Sequence, residues 1–200
     1  MDVVKIKGFH TSSINGGWSF IQKNAPFLSG SGENQWLTQG FYFWTDSDYF
    51  AHEWGKKSIY GDYAITECLL EIEQPYLLDL VGSVEDQLHF EEMFKKYQSK
   101  LNKATGQSTE PTVQAVIEYY RRINTKQNGI LPYLALKAQD NYKERNIRFT
   151  NQRIEKLPLI MRQQLCLFEE GYHCIKSKRI IYPPTFKEKV DYVISKTKEE

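Results

Sequence analysis

The sequence predicts an α+β fold in a single domain, 1–200, and three observations carry that expectation. The 200-residue chain is 40% hydrophobic and 26% charged, ordinary for a globule that buries a core of its own. Segments of period-2 alternation recur along it, with segments of helical spacing between some of them. The two kinds do not alternate as strict βαβ units, which argues against a doubly wound parallel sheet.

Taken in order, residues 3–10 alternate apolar and polar side chains and predict a first strand. Asn15-Gly16-Gly17 marks a turn, although a helix beginning at Ser12 or Ser13 and running through Trp18, Phe20 and Ile21 fits the same stretch. Residues 29–34 form a small polar loop, and Gly40-Phe41-Tyr42-Phe43-Trp44 is a dense aromatic strand. Asp46, Ser47 and Asp48 offer N-caps for a helix through Phe50, Ala51 and Trp54. Residues 63–72 alternate as a strand, and 76–80 follow Pro75 as a short one.

Residues 84–101 and 111–123 have helical spacing, the second with Thr109 as cap and Pro111 in its first turn. The stretch 83–128 therefore reads as a helical insertion or flanking cap. Asn128-Gly129 is a turn signal, 131–137 a strand, and 164–168 and 173–182 a strand pair joined by Glu169-Glu170-Gly171. Pro183-Pro184 ends the sheet, and 185–200 is a tail helix.

Composition excludes several classes. No apolar run approaches the ~20 residues of a membrane span, and residues 1–8 lack the apolar core of a signal peptide. Cys68, Cys166 and Cys174 are odd in number and lie in strand-like segments. They read as reduced core thiols, so a cytoplasmic protein is expected. The net charge of +1 conceals an asymmetry: residues 1–100 hold 8 Lys, no Arg and 14 acids, a net −6. Residues 101–200 hold 18 basic and 11 acidic residues, a net +7. Such segregation suits an anionic partner, such as nucleic acid or an acidic antagonist protein, and equally suits pairing between the halves.

The residues able to carry chemistry are few. His10 ends the first strand and precedes Thr11-Ser12; a His there serves packing more often than catalysis. Some thirty residues on, Gly40 allows backbone or ligand to approach closely, and Tyr42 and Trp44 share one strand face. A flat aromatic beside such a gap suits stacking on a planar heterocycle. Spacings for zinc are missing: Cys166, His173 and Cys174 form no Cys-x-x-Cys, and no His-Glu-x-x-His occurs. No metal is expected. Phosphate-loop and nucleophile-elbow patterns are missing too.

In that order, His10-Thr11-Ser12, Gly40-Phe41-Tyr42-Phe43 and the helix-forming 47–54 resemble the ADP-ribosyltransferase superfamily, in its His–Tyr–x branch (the diphtheria-toxin- and PARP-like enzymes). The strand 64–72 with its return 76–80 resembles the family's next segment, and Gln164-Leu165-Cys166-Leu167-Phe168 its third motif. The likeness is close over 8–80, looser over 162–182 and missing over roughly 83–128. It implies a split two-sheet β core with flanking helices and NAD⁺ as co-substrate. By resemblance His10 would donate to the adenosine-side ribose, the Thr11 backbone would grip the carboxamide, and Ser12 would support the ribose. Gly40, Phe41 and Tyr42 would contribute to cofactor binding, with Tyr42 stacking on the nicotinamide ring and Trp54 closing its other face.

The catalytic set is then His10, Tyr42 and Gln164, with Gln163 an alternative because the strand's phase is uncertain by one residue. Gln164 stands where polymerising members carry Glu, and a neutral amide cannot offset a developing cation. The resemblance therefore implies transfer of single ADP-ribose units to a macromolecule, with RNA or DNA favoured slightly over protein by the +7 half. Glu169, Glu170 and Asp140 are candidate bases. A soluble member of this kind resembles a bacterial toxin or antiphage effector with a protein antitoxin as partner and no membrane. Two rivals remain: a nucleic-acid-binding module using Arg121-Arg122, 143–148 and 176–179, and a degenerate NAD⁺ or ADP-ribose binder.

Overall fold

The computed structural model describes residues 2–32, 35–127, 129–140 and 145–189. Along them run β1 (Val3–Ser13), α1 (Gly17–Asn24), β2 (Phe41–Thr45), α2 (Tyr49–Ser58), β3 (Tyr63–Glu73) and β4 (Leu77–Asp79). Then come α3 (Val84–Thr105), α4 (Val113–Asn124), β5 (Ala135–Asp140), β6 (Arg145–Arg148), β7 (Lys156–Leu159), β8 (Arg162–Leu167) and β9 (Ile175–Tyr182). Seven strands make one mixed sheet in the order β4-β5-β8-β2-β1-β3-β9, and β6 and β7 form a separate ribbon. The α+β class holds. The two-sheet core that the resemblance implies is not what the strands build, because the seven join edge to edge.

The sheet is nevertheless pinched at one seam. β1 pairs with β3 from Val3↔Glu73 to Ser13↔Tyr63, but meets β2 only at Gly8↔Thr45 and Phe9↔Trp44. A Cβ on Gly8 would stand 2.8 Å from that of Phe43, so glycine is what permits this close crossing. Beyond Phe9, β1 stays with β3 while β2 leaves with β8, from Phe41↔Leu167 to Trp44↔Gln164. His10 and Thr11 therefore stand at an opening between two neighbouring strands.

Packing explains the flanking elements. One face buries Ile6, Phe41, Phe43, Leu70, Ile72, Leu165 and Leu167 against one another. Elsewhere α4 sets Ile117 against Leu78, Leu136, Cys166 and Phe168, while Met93 of α3 packs with Val116 and Leu131. α4 thus packs against β4, β5 and β8, and α3 packs against α4. The two helices start where side chains satisfy free amides: the Ser83 hydroxyl accepts from the Asp86 N–H and the Thr112 hydroxyl from the Ala115 N–H, each at 3.1 Å. α2 covers Phe9, Trp44 and Ile65 with Ala51.

Several sequence expectations shift. The first strand continues to Ser13, so no helix begins at Ser12 or Ser13; Gly16 and Gly17, at φ +86° and +75°, turn the chain into α1 instead. The cap of α4 is Thr112, not Thr109, and Pro111 precedes the helix. The strand expected over 131–137 is β5, displaced toward its C-terminal side. The two late strands do not pair: β8 lies between β5 and β2, and β9 pairs with β3 at the sheet's far edge. A 3₁₀ turn, Glu169–Cys174, carries the chain away from β8, which a tight hairpin at 169–171 would not. Residues 184–189 are helical, while the rest of the tail helix (190–200), Asn128 of the Asn-Gly turn and residues 33–34 of the polar loop lie outside the described residues. No described helix is long and apolar enough to cross a membrane.

Candidate functional site

The opening between β1 and β2 leads into a cavity of about 430 Å³ lined by His10, Thr11, Tyr42, Trp54 and Gln164, together with Ser29, Gln35, Trp36, Trp44, Asp140 and Arg162. That volume falls within the ~300–1,000 Å³ typical of small-molecule sites. The strand registers explain the convergence. Tyr42 lies opposite Cys166 and Trp44 opposite Gln164, so in an antiparallel pair Tyr42, Trp44 and Gln164 project to one face. Thr11 shares its face with Phe9, which lies opposite Trp44. Gln164 rather than Gln163 is therefore the β8 residue at the cavity; Gln163 Oε1 lies 3.5 Å from the hydroxyl of Thr45.

His10 sits in the seam itself. Its Nδ1 lies 3.0 Å from the Tyr42 carbonyl, and its Nε2 is 3.1 Å from the backbone N–H of Phe27. A carbonyl only accepts and an amide N–H only donates, which assigns one tautomer: Nδ1 carries the proton and Nε2 the lone pair. Burial pushes its pKa down to about 4, with the Tyr42 carbonyl opposing the shift. The imidazole is thus a neutral bridge that replaces the missing β1–β2 ladder contact. A ligand hydroxyl that binds Nε2 must donate to it, in place of Phe27; the resemblance implied the opposite polarity, with His10 as donor.

Tyr42 presents its ring to the cavity and anchors its hydroxyl behind it. That oxygen donates to the Thr38 carbonyl at 2.7 Å and accepts from the Leu37 and Thr38 amides at 3.2 and 3.1 Å. Burial, with the neighbouring Cys166 next, raises the phenol's pKa. The ring is a fixed wall and the phenol no acid at neutral pH.

Gln164 is buried, and its Oε1 accepts from the indole N–H of Trp36 at 2.6 Å. Because that indole nitrogen can only donate, the amide's orientation is settled chemically, and Nε2 is the end left for a ligand. At the rim, Arg162 Nε donates to Asp140 Oδ1 at 3.0 Å and its Nη2 to the other carboxylate oxygen. The same guanidinium stands 5.9 Å from the Trp44 ring centroid. The Trp44 and Trp54 rings lie 6.1 Å apart, with Trp54 46% exposed at the mouth. Aromatic walls, amide donors and a paired guanidinium make a site suited to a planar ring bearing oxygen acceptors.

Three expected residues are not brought to the cavity. Gly40 does permit a close approach, but of protein: a Cβ there would stand 2.6 Å from the Leu167 carbonyl oxygen. Phe41, on the alternate face from Tyr42, is in the core, its ring tilted against that of Tyr172 at 5.1 Å. Ser12 follows the alternation of His10, one residue beyond the cavity-facing Thr11, and its buried hydroxyl has no partner among the described residues. Thr11 lines the cavity while its hydroxyl donates to the Ala51 carbonyl at 3.0 Å, tying β1 to α2. Of the candidate bases Asp140 is at the cavity; Glu170 instead pairs with Arg121 at 3.3 Å. Trp36 and Arg162 were not singled out from sequence. Arg162 could have been, two residues before Gln164 on the same strand; Trp36 lies in an irregular stretch with no periodic signal. No group of three or more His, Cys, Asp or Glu suited to a metal occurs among the described residues.

No protein-family model, curated protein or solved structure matches this chain.

Proposed function

We propose that this chain is an NAD⁺-dependent mono-ADP-ribosyltransferase that modifies a macromolecule. One observation carries the reading: His10, Tyr42 and Gln164, named from three short segments far apart in sequence, line one cavity of about 430 Å³ with aromatic walls. A coincidental resemblance predicts no such convergence.

The chemistry follows from that arrangement. The nicotinamide ring stacks on Tyr42, with Trp54 across the mouth. The C1′–nitrogen bond of the nicotinamide ribose breaks, its electron pair neutralising the pyridinium, and neutral nicotinamide leaves. A nucleophilic oxygen or nitrogen of the acceptor bonds C1′ and gives up its proton. Asp140 is the carboxylate placed to receive it, on release from Arg162. Holding the reactants in line supplies most of the acceleration expected of such a site. Gln164 binds a ribose oxygen through its amide N–H groups, which orients the sugar without offsetting the oxocarbenium charge. This suits single transfer rather than polymerisation. A toxin or antiphage role, with a protein antitoxin as antagonist, rests on the resemblance alone.

A second reading has an observation of its own. Both acceptor atoms that could meet ribose hydroxyls, His10 Nε2 and Gln164 Oε1, already accept from Phe27 and Trp36. A protein that binds NAD⁺ or ADP-ribose without turning it over would tolerate this. Incubating the purified chain with NAD⁺ labelled in its adenylate, and with separate pools of RNA, DNA and cell protein, separates the two. Label in one pool establishes transfer. Binding without label or free ADP-ribose favours the binder, and neither binding nor turnover removes both.

A further inference from the structure

Between β5 and β8, the two strands that end at the cavity rim in Asp140 and Arg162, the chain makes an excursion that holds the β6–β7 ribbon. Among the described residues the ribbon pairs only with itself, from Arg145↔Leu159 to Arg148↔Lys156. Nearly all its residues are exposed, which is an unusual position for so apolar a segment. Phe149 is 64% and Ile154 88% exposed, and Ile147, Leu157 and Ile160 are exposed as well.

Its charges are distinctive too. Residues 145–160 carry Arg145, Arg148, Arg153 and Lys156 against the single acid Glu155. Several cations elsewhere are paired: Lys5 with Glu71, Lys7 and Arg179 with Glu67, Arg121 with Glu170, Lys137 with Asp79. The four ribbon cations make no ion pair among the described residues. Part of the half-chain charge of +7 is therefore left uncompensated on the ribbon.

The register sorts the two chemistries in part. Arg148 and Lys156 lie opposite each other on one face with Asn146, whereas Ile147 and Leu157 lie opposite each other on the other, where Arg145 faces Leu159 at the ribbon's end. Phe149 and Ile154 flank the turn. Cations that want an anion therefore sit within a few ångströms of apolar surface that wants a flat, uncharged contact.

We propose that the β6–β7 ribbon binds a single strand of nucleic acid, its phosphates on the cationic face and its bases against Phe149 and the neighbouring apolar side chains. Phosphate charge complements the four cations, and unpaired bases supply the flat surfaces that a duplex keeps stacked inside. The end of β7 is three residues from Arg162, so a strand held here lies within reach of the cavity. This rests on the transferase reading in one respect only: it makes the bound strand the acceptor.

Binding is measured without NAD⁺, so its outcome and that of the turnover assay are independent. Fluorescein-labelled 12-nucleotide single strands of DNA and RNA, and the matching DNA duplex, are titrated with the full chain by fluorescence anisotropy at several salt concentrations. Replacing Arg148 and Lys156 together by Ala is expected to weaken single-strand binding roughly tenfold and lower the salt slope by about 1.4. Phe149→Ala is expected to weaken it about fivefold with the salt slope unchanged. Removing two cations from α3, Lys95→Ala with Lys96→Ala, is the matched control and leaves binding as it was. All these side chains are exposed, and an unchanged melting temperature verifies folding. Wild-type chain that fails to bind single strands, ribbon variants that bind like wild type, an equal loss in the α3 control, or a duplex bound as tightly as a single strand would each overturn the proposal.

Discussion

The indole nitrogen of Trp36 donates to the side-chain oxygen of Gln164 at 2.6 Å, joining residues 128 positions apart across the cavity wall. A donor-only partner fixes which end of the amide faces a ligand. In a ¹H–¹⁵N spectrum the Trp36 indole proton is expected to exchange slowly and to move clearly upfield in Gln164→Leu. An unmoved resonance would dispose of this bond. Trp36→Phe frees the amide to flip, and we expect kcat for NAD⁺ turnover to fall about tenfold or more with little change in KM.

Tyr42 has two jobs, and one substitution separates them. Tyr42→Phe keeps the ring but strands the Leu37 and Thr38 amides and the Thr38 carbonyl. Losing buried partners costs about 1–3 kcal/mol, hence several degrees of melting temperature for a chain of this size. Turnover should survive in proportion to the folded fraction. Tyr42→Ala removes the stacking wall as well, and turnover should vanish even where the variant is folded.

His10 makes stability depend on pH with a definite sign. Its folded pKa of about 4 lies below the ordinary 6.5, so between these values the unfolded chain binds a proton that the folded chain refuses. This contribution is fully present above pH 6.5 and is lost as pH falls toward 4, amounting to roughly 3 kcal/mol. The cause is burial, which disfavours the charged imidazolium, and a proton on Nε2 would also face the Phe27 N–H. An NMR titration of the His10 ring should show no inflection near pH 6.5. One found there would contradict the buried, neutral assignment.

The thiols should be inert in the native state. Cys68, Cys166 and Cys174 are all buried, and burial pushes the first two up to about 12. An aromatic disulfide reagent at pH 8 is expected to label none of the three within minutes, and all three in guanidinium. Rapid labelling of Cys166 in folded protein would mean that the segment 36–40 opens readily.

How much of this was legible in advance follows from the range of the forces involved. Alternation and capping are local, so β1, β3, α2 and the helical cap could be read from their own residues. Strand order is not local: nothing within Gln164–Phe168 says that it lies between β2 and β5, and proximity in sequence suggests a pairing with β9 that the fold does not make. The cavity divides in the same way. Tyr42 and Gln164 stood out as residue types in strands, and Gly40 as a glycine, but whether Gly40 makes room for ligand or for Leu167 depends on a strand 120-odd residues away. Trp36 and the ribbon belong to segments without periodicity, and only the fold gives them neighbours.

β5 and β8 hold each other directly, in register from Ala135↔Leu167 to Asp140↔Arg162. The cavity wall does not need whatever joins Asp140 to Arg162 in order to stand. That junction is a socket: a different hairpin, or a bare turn, could occupy it with the floor of the site unchanged. If the ribbon holds the acceptor as proposed, what the chain acts upon and how it acts are coded by separate stretches of sequence, and the first can be exchanged without rebuilding the second.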